Sequence, residues 1–173
     1  MNSTPHSRTK RPTPFVIFWT FLGSFFGIAA VAATDSLWLA DADLTMVVGS
    51  FGATAVLLYA AQNSPLAQPF NVLVGHGVSA LAGVTALQVV GGVDWLSASL
   101  AVAGAIAAMQ VTRSVHPPGG ATALIAVVGS EKIHALGYWY VLYPILSGAM
   151  TMLVVAFIMN NIPKGWKWPL FWV

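Results

Sequence analysis

Apolar residues along the chain fall into six runs, at 15–33, 44–61, 70–90, 95–112, 118–129 and 137–159, separated by polar stretches carrying glycine, proline or charge. A helix needs about 20 residues to cross the hydrocarbon core of a bilayer. The first, third, fourth and sixth runs reach that length. The second lies at its low end, and the fifth is too short to span alone. The pattern predicts an all-α polytopic membrane protein of six apolar segments, with short or broken second and fifth segments. Residues 1–14 read as a basic, proline-rich, disordered tail. Residues 15–161 read as one membrane domain, and 162–173 as a short interfacial tail.

Charge placement orients these segments. With the amino terminus inside and six crossings, Arg8, Lys10, Arg11, Arg113, Lys164 and Lys167 fall on the inner side. Asp35, Asp41, Asp43, Asp94 and Glu131 fall outside, joined by Lys132, which is the positive-inside arrangement with one exception. Pro163 ends the last segment, and Trp166 and Trp168 with their lysines suit an interfacial belt. The first segment has a competing reading: Arg8-Thr9-Lys10-Arg11, an apolar run and Ala30-Val31-Ala32 have the layout of a signal peptide. A retained helix is preferred, because the run exceeds the usual apolar region of about 7–15 residues. It also carries Gly23 and Gly27 at the GxxxG spacing that lets helices approach, although glycine is abundant throughout this chain. Both ends are expected in the cytoplasm. Without a long Ser- and Arg-rich presequence, a bacterial cytoplasmic membrane fits better than a plastid.

Composition narrows the function. The chain is 57% hydrophobic and 7% charged, against about a quarter charged in soluble domains, so lipid must solvate its surface. The net charge of +2 then reflects topology signals, and nucleic acid is not expected as a partner. There is no cysteine, which removes disulfides and thiolate chemistry. No HExxH, nucleophile elbow or pair of intramembrane carboxylates is present, so neither an enzyme, a metal site nor a cofactor is expected.

The most unusual stretch is Arg113-Ser114-Val115-His116-Pro117-Pro118-Gly119-Gly120-Ala121-Thr122-Ala123-Leu124. Two prolines cannot continue a helix and two glycines free the backbone, so an irregular lead-in followed by a half-helix is expected over 118–129. Irregular backbone at membrane depth persists only where it is buried in protein or lines a cavity. His116-Pro117-Pro118 with the following Gly119-Gly120-Ala121-Thr122-Ala123-Leu124 resembles the HPP family of integral membrane proteins. Phe51 to Leu58, Asn63 to Pro69, Asn71 to His76 and Asn160-Asn161 extend the similarity over 44–161. Members of that family are usually described with four spanning helices, against six segments here. Plastid and cyanobacterial members are described as nitrite transporters, and the resemblance implies the same substrate here.

Gly52-Ala53-Thr54-Ala55 and Gly120-Ala121-Thr122-Ala123 are the same tetrapeptide. Identity alone is weak in so biased a chain, but each copy lies in the short middle segment of one half. Three segments per half make the halves, 15–92 and 93–161, face opposite ways, the inverted-repeat logic of secondary transporters. The upstream spacing does not match, because the first outer loop is longer.

Candidate roles follow. Helix amino termini at Gly52, Ala53, Thr54 and at Gly119, Gly120, Ala121, Thr122 would present N–H groups and hydroxyls to an anion; the bland reading is packing by small residues. Arg113 either reaches into the membrane or anchors a helix end. His116 either donates to an anion and carries a proton, or packs at a proline turn. His76, in Gly75-His76-Gly77, is a functional candidate by depth or an interhelical hydrogen-bonding group. The sequence thus points to transport of a small anion such as nitrite, with a homodimer expected because six helices are few to enclose a site. A channel or carrier for another small solute and a membrane anchor or sensor module are the alternatives.

Overall fold

The computed structural model describes residues 11–35 and 49–172. The first ten residues, the loop carrying Asp41 and Asp43, and the start of the second apolar run lie outside that set. Among the described residues the regular structure is helical: α1 (Pro14–Asp35), α2 (Gly49–Ala60), α3 (Pro69–Val90), α4 (Trp95–Val111), α5 (Pro118–Val128), α6 (Glu131–Leu136) and α7 (Val141–Met159). Each apolar run becomes a helix, while α6 falls in a loop where none was expected. Three of them, α1, α3 and α7, are long and apolar enough to cross a membrane. The fourth run was expected to reach that length comfortably, but α4 has 17 residues, about 25 Å of helix, at the lower limit. The half-helix expected over 118–129 is α5.

Local chemistry sets the boundaries. Pro69 opens α3 where its missing N–H would have been unpaired anyway, and Gly91 closes it in the left-handed region at φ 80°. Asp94 caps α4 by accepting from the Ser97 N–H at 2.8 Å, while the Ser97 hydroxyl accepts from the Asp94 N–H at 3.0 Å. That Ser97 N–H holds the exposed Asp94 carboxyl below its ordinary range. The last turn of α2, Val56–Ala60, and the first of α7, Val141–Leu146, are wound as π-helix. Pro144 sits inside the second of these, and Tyr143 there leaves helical dihedrals, because proline cannot complete the backbone ladder.

Packing relies on small residues, as expected where lipid removes the hydrophobic drive between helices. Ala86 of α3, Ala101 and Ala105 of α4, and Ala123 and Val127 of α5 form one buried cluster. A larger one joins Val31 of α1, Phe51 and Tyr59 of α2, Val72 of α3, and Met152 and Ala156 of α7. Gly23 and Gly27 earn their spacing by letting the Tyr59 ring lie across α1: a Cβ on either would come within 2.5 Å of that ring or its hydroxyl. Large apolar residues such as Phe18, Phe21, Leu100, Val111 and Val154 point outward, which suits a lipid-facing surface.

Several long-range bonds gather one face of the bundle. The Thr20 hydroxyl donates to the Tyr59 carbonyl at 3.1 Å, the Asn160 amide to Leu58 O at 2.9 Å, and the Leu170 N–H to Gln68 Oε1 at 2.9 Å. The amino-terminal half of α1, the α2–α3 loop and the carboxyl-terminal tail therefore sit together. A recess of about 680 Å³ opens there between Val16, Tyr59, Gln62, Asn63, Trp166 and Lys167.

Candidate functional site

The site begins where α4 gives way to α5. The Arg113 and Ser114 N–H groups close α4 on Gln110 O and Met109 O, and Arg113 takes the left-handed region at φ 55°. Pro117 and Pro118 block helix continuation, so 112–117 runs as open backbone. It is received by α3 at Gly75, where a Cβ would lie 2.6 Å from the His116 Cβ and 2.7 Å from Ser114 O. Only a missing side chain permits that approach. The Asn71 amide clamps the loop by donating to Val115 O at 3.0 Å. Gly75 is six residues into α3, so His116 enters about 9 Å along that helix.

Four side chains, all fully buried, meet there: Thr54 of α2, His76 of α3, His116 of the 112–117 loop, and Thr122 of α5. His76 Nε2 lies 2.8 Å from Thr54 Oγ1, and its Nδ1 lies 2.7 Å from Thr122 Oγ1. His116 Nε2 is 3.1 Å from the same Thr54 oxygen, and its Nδ1 is 2.9 Å from Leu66 O in the short 3-10 turn Pro65–Ala67. The two imidazole rings are 4.8 Å apart, edge to face. Phe51 covers His76 at 5.2 Å, and Tyr140, just before α7, donates to Thr122 O at 3.0 Å.

The hydrogens of this network follow from one group. A carbonyl can only accept, so His116 Nδ1 carries the hydrogen shared with Leu66 O. In neutral His116 the Nε2 then accepts, and the Thr54 hydroxyl donates to it. Thr54 Oγ1 in turn accepts from His76 Nε2–H, which leaves His76 Nδ1 to accept from the Thr122 hydroxyl. Every donor has an acceptor along the line Thr122, His76, Thr54, His116, Leu66.

Of the residues singled out from sequence, the structure brings together Thr54, His76, His116 and Thr122. Arg113 is exposed on the loop, three residues before His116. Gly52 and Gly120 are half-buried with open space beside them, and Ala53 and Ala121 are exposed. Gly119 is buried against Ser79 and Gly75 O. The expected amide cradle is not formed by these residues: the Gly119 and Gly120 N–H groups close tight turns onto His116 O and Pro117 O, and α2 is already helical at Gly49, so Gly52 does not open it. Leu66 and Tyr140 were not foreseen; a backbone carbonyl and a tyrosine in an apolar run carry no sequence signal. Ser79 was missed as well, and its hydroxyl, buried one turn along α3 from His76, makes no hydrogen bond among the described residues. Among the described residues no group of three or more histidines and carboxylates could hold a metal ion.

The tripeptide that bends the chain into this site is His116-Pro117-Pro118, and the family described as HPP, transmembrane region, matches residues 9–169. The chain belongs to the HPP family. Two transmembrane proteins of Dictyostelium discoideum are each 42% identical to it over 159 residues, covering 90% of this chain and 51% and 55% of their own lengths. The HPP chain thus spans about half the length of the curated relatives it matches. No solved structure matches it. Family membership identifies an integral membrane protein. Within the HPP chain, the family's tripeptide delivers one of the two buried imidazoles.

Proposed function

We propose that this HPP protein moves a small monovalent inorganic anion across a membrane, nitrite being the substrate the family resemblance implies. The observation that carries the reading is the fully buried cluster of Thr54, His76, His116 and Thr122, built where two short helices meet a spanning one. Buried polar groups in a membrane are costly and mark solute pathways. Hydroxyls and imidazole N–H groups suit acceptor oxygens, Ser79 adds an unspent donor, and the exposed Arg113 supplies positive potential on the loop above. The carboxylates of Asp94 and Glu131, which would attract cations, are exposed beyond the opposite ends of α3 and α5. The cluster is closed on all sides, so a solute reaches it when α2 and α5 part.

An inverted repeat supplies the means of parting. Burial along 50–60 matches burial along 118–128 at every position but one, with both threonines inward and both preceding alanines outward. Packing agrees, since α1 lies on α7 as α4 lies on α3. Rocking of one half against the other would open the cluster to each side in turn. A homodimer in a bacterial cytoplasmic membrane, with both termini cytoplasmic, completes the proposal.

Uptake of labelled nitrite into vesicles containing the purified protein tests it. Nitrite flux lost in a folded Thr54→Val, Thr122→Val variant supports the site, and cation flux in place of anion flux overturns the reading. A second reading, a membrane module working beside soluble regions, is favoured by one observation: the curated relatives are about twice as long. Absence of flux for any small solute would favour it.

A further inference from the structure

Each threonine of the cluster has a second acceptor already in reach. Thr54 Oγ1 lies 3.3 Å from Ser50 O and Thr122 Oγ1 lies 3.4 Å from Pro118 O, each one turn back on its own helix. A hydroxyl that rotates from its histidine to that carbonyl keeps a hydrogen bond and turns its lone pairs toward the imidazole. The histidine nitrogen it leaves can then carry a hydrogen of its own and donate it back. Thr54 serves His116 Nε2 in this way, and Thr122 serves His76 Nδ1.

From this geometry we propose that the histidine pair takes up one proton with each anion, the threonine hydroxyls acting as rotors, so that transport is proton–anion cotransport. This rests on the anion reading above. The proton comes from water at the membrane face. Hydronium releases it to His116 Nε2 or His76 Nδ1 and becomes water, a new N–H bond forms, and the paired threonine turns to its carbonyl. No bond within the protein breaks, and once α2 and α5 have parted to admit water the uptake itself needs only the turn of one hydroxyl. The pair holds a single proton, because rings 4.8 Å apart repel each other when both are charged.

The surroundings decide what accompanies that proton. From α2 the cluster meets Thr54 and Phe51, from α5 Thr122, and from the approach to α7 the Tyr140 hydroxyl through Thr122 O. Arg113, the nearest charge on the loop, is exposed and has the same sign as an imidazolium. Among the described residues no carboxylate faces the pair. An imidazolium buried here has no counter-ion among the described residues, and an unpaired buried charge is strongly disfavoured. An anion beside it supplies the missing charge, so proton and anion each favour the binding of the other. The unspent Ser79 hydroxyl, one turn from His76, gives that anion a donor.

Two measurements on the full chain test the proposal. In vesicles under a nitrite gradient, protein-dependent uptake should acidify the lumen and carry no current, after subtraction of protein-free vesicles. Apparent nitrite affinity should fall about tenfold per unit of rising pH over the range where the anion-free pair is neutral. Nitrite flux that carries current without acidification overturns the proton coupling and leaves anion transport standing. Nitrogen NMR of histidine-labelled protein in nanodiscs reads the second arm, with one imidazolium appearing when nitrite is added. Imidazolium formation with no flux supports the linkage and overturns transport. Neither flux nor imidazolium formation overturns both. A Ser79→Ala variant should fold and show weaker nitrite affinity, and unchanged affinity there removes that hydroxyl from the anion's contacts.

Discussion

Thr54 and Thr122, the third residues of two identical tetrapeptides, bind opposite nitrogens of the same ring, that of His76. A neutral imidazole offers one donor and one acceptor, so the two threonines cannot play the same part at the same moment. One accepts while the other donates, and the ring sets which.

This sharing makes the two threonines energetically interdependent. Thr122→Val leaves His76 Nδ1 buried without a donor and should destabilise the protein by about 1–3 kcal/mol. Thr54→Val should do the same. In a double-mutant cycle the two should depart from additivity by about 0.5 kcal/mol or more, since both act through one ring. Thermal unfolding in detergent, read for the four proteins, gives the result. Strict additivity would mean the bonds do not communicate.

Close approach at Gly75 predicts a sharp contrast between glycines. Gly75→Ala drives a methyl into His116 and the Ser114 carbonyl, and overpacking of this kind costs about 1–3 kcal/mol. Gly120→Ala meets open space inside a helix and should be neutral or stabilising by up to about 1 kcal/mol. Comparing melting temperatures of the two variants checks both signs.

Arg113 holds an exposed, left-handed position that glycine would occupy more easily. Arg113→Gly should therefore leave the fold intact and raise stability slightly. Nitrite uptake should fall at low ionic strength, and the deficit should shrink at high salt, because an exposed charge acts over distance and is screened. A deficit independent of salt would indicate direct contact with the anion instead.

The gathering of Thr20, Leu58, Gln68 and Leu170 predicts sidedness. With no native cysteine, single cysteines at Pro65 and Lys164 should react from one side of a sealed vesicle, and those at Asp94 and Lys132 from the other. Labelling of positions 65 and 164 from opposite sides would end the six-crossing arrangement.

The helices were legible because apolar length is written directly into the chain, and the half-helix because Pro117 and Pro118 leave no alternative. Thr54, His76, His116 and Thr122 were each legible as candidates, but not their convergence, which depends on Gly75 admitting the 112–117 loop. The amide cradle was misplaced for a local reason: Gly119 and Gly120 satisfy their N–H groups within the turn that follows the prolines. The π-wound turns and α6 were illegible, since an extra residue per turn and a six-residue helix leave no periodic signature.

The Leu66 carbonyl gives the cluster its polarity, and a backbone atom cannot be mutated away. Any substitution of residue 66 keeps the oxygen that orients His116, and through it every hydrogen as far as Thr122. Inheritance of this network is therefore all or nothing at the four side chains and indifferent at the fifth position. A descendant can vary its anchor, but losing one hydroxyl or one imidazole alone strands the others, so the four groups must change together or stay.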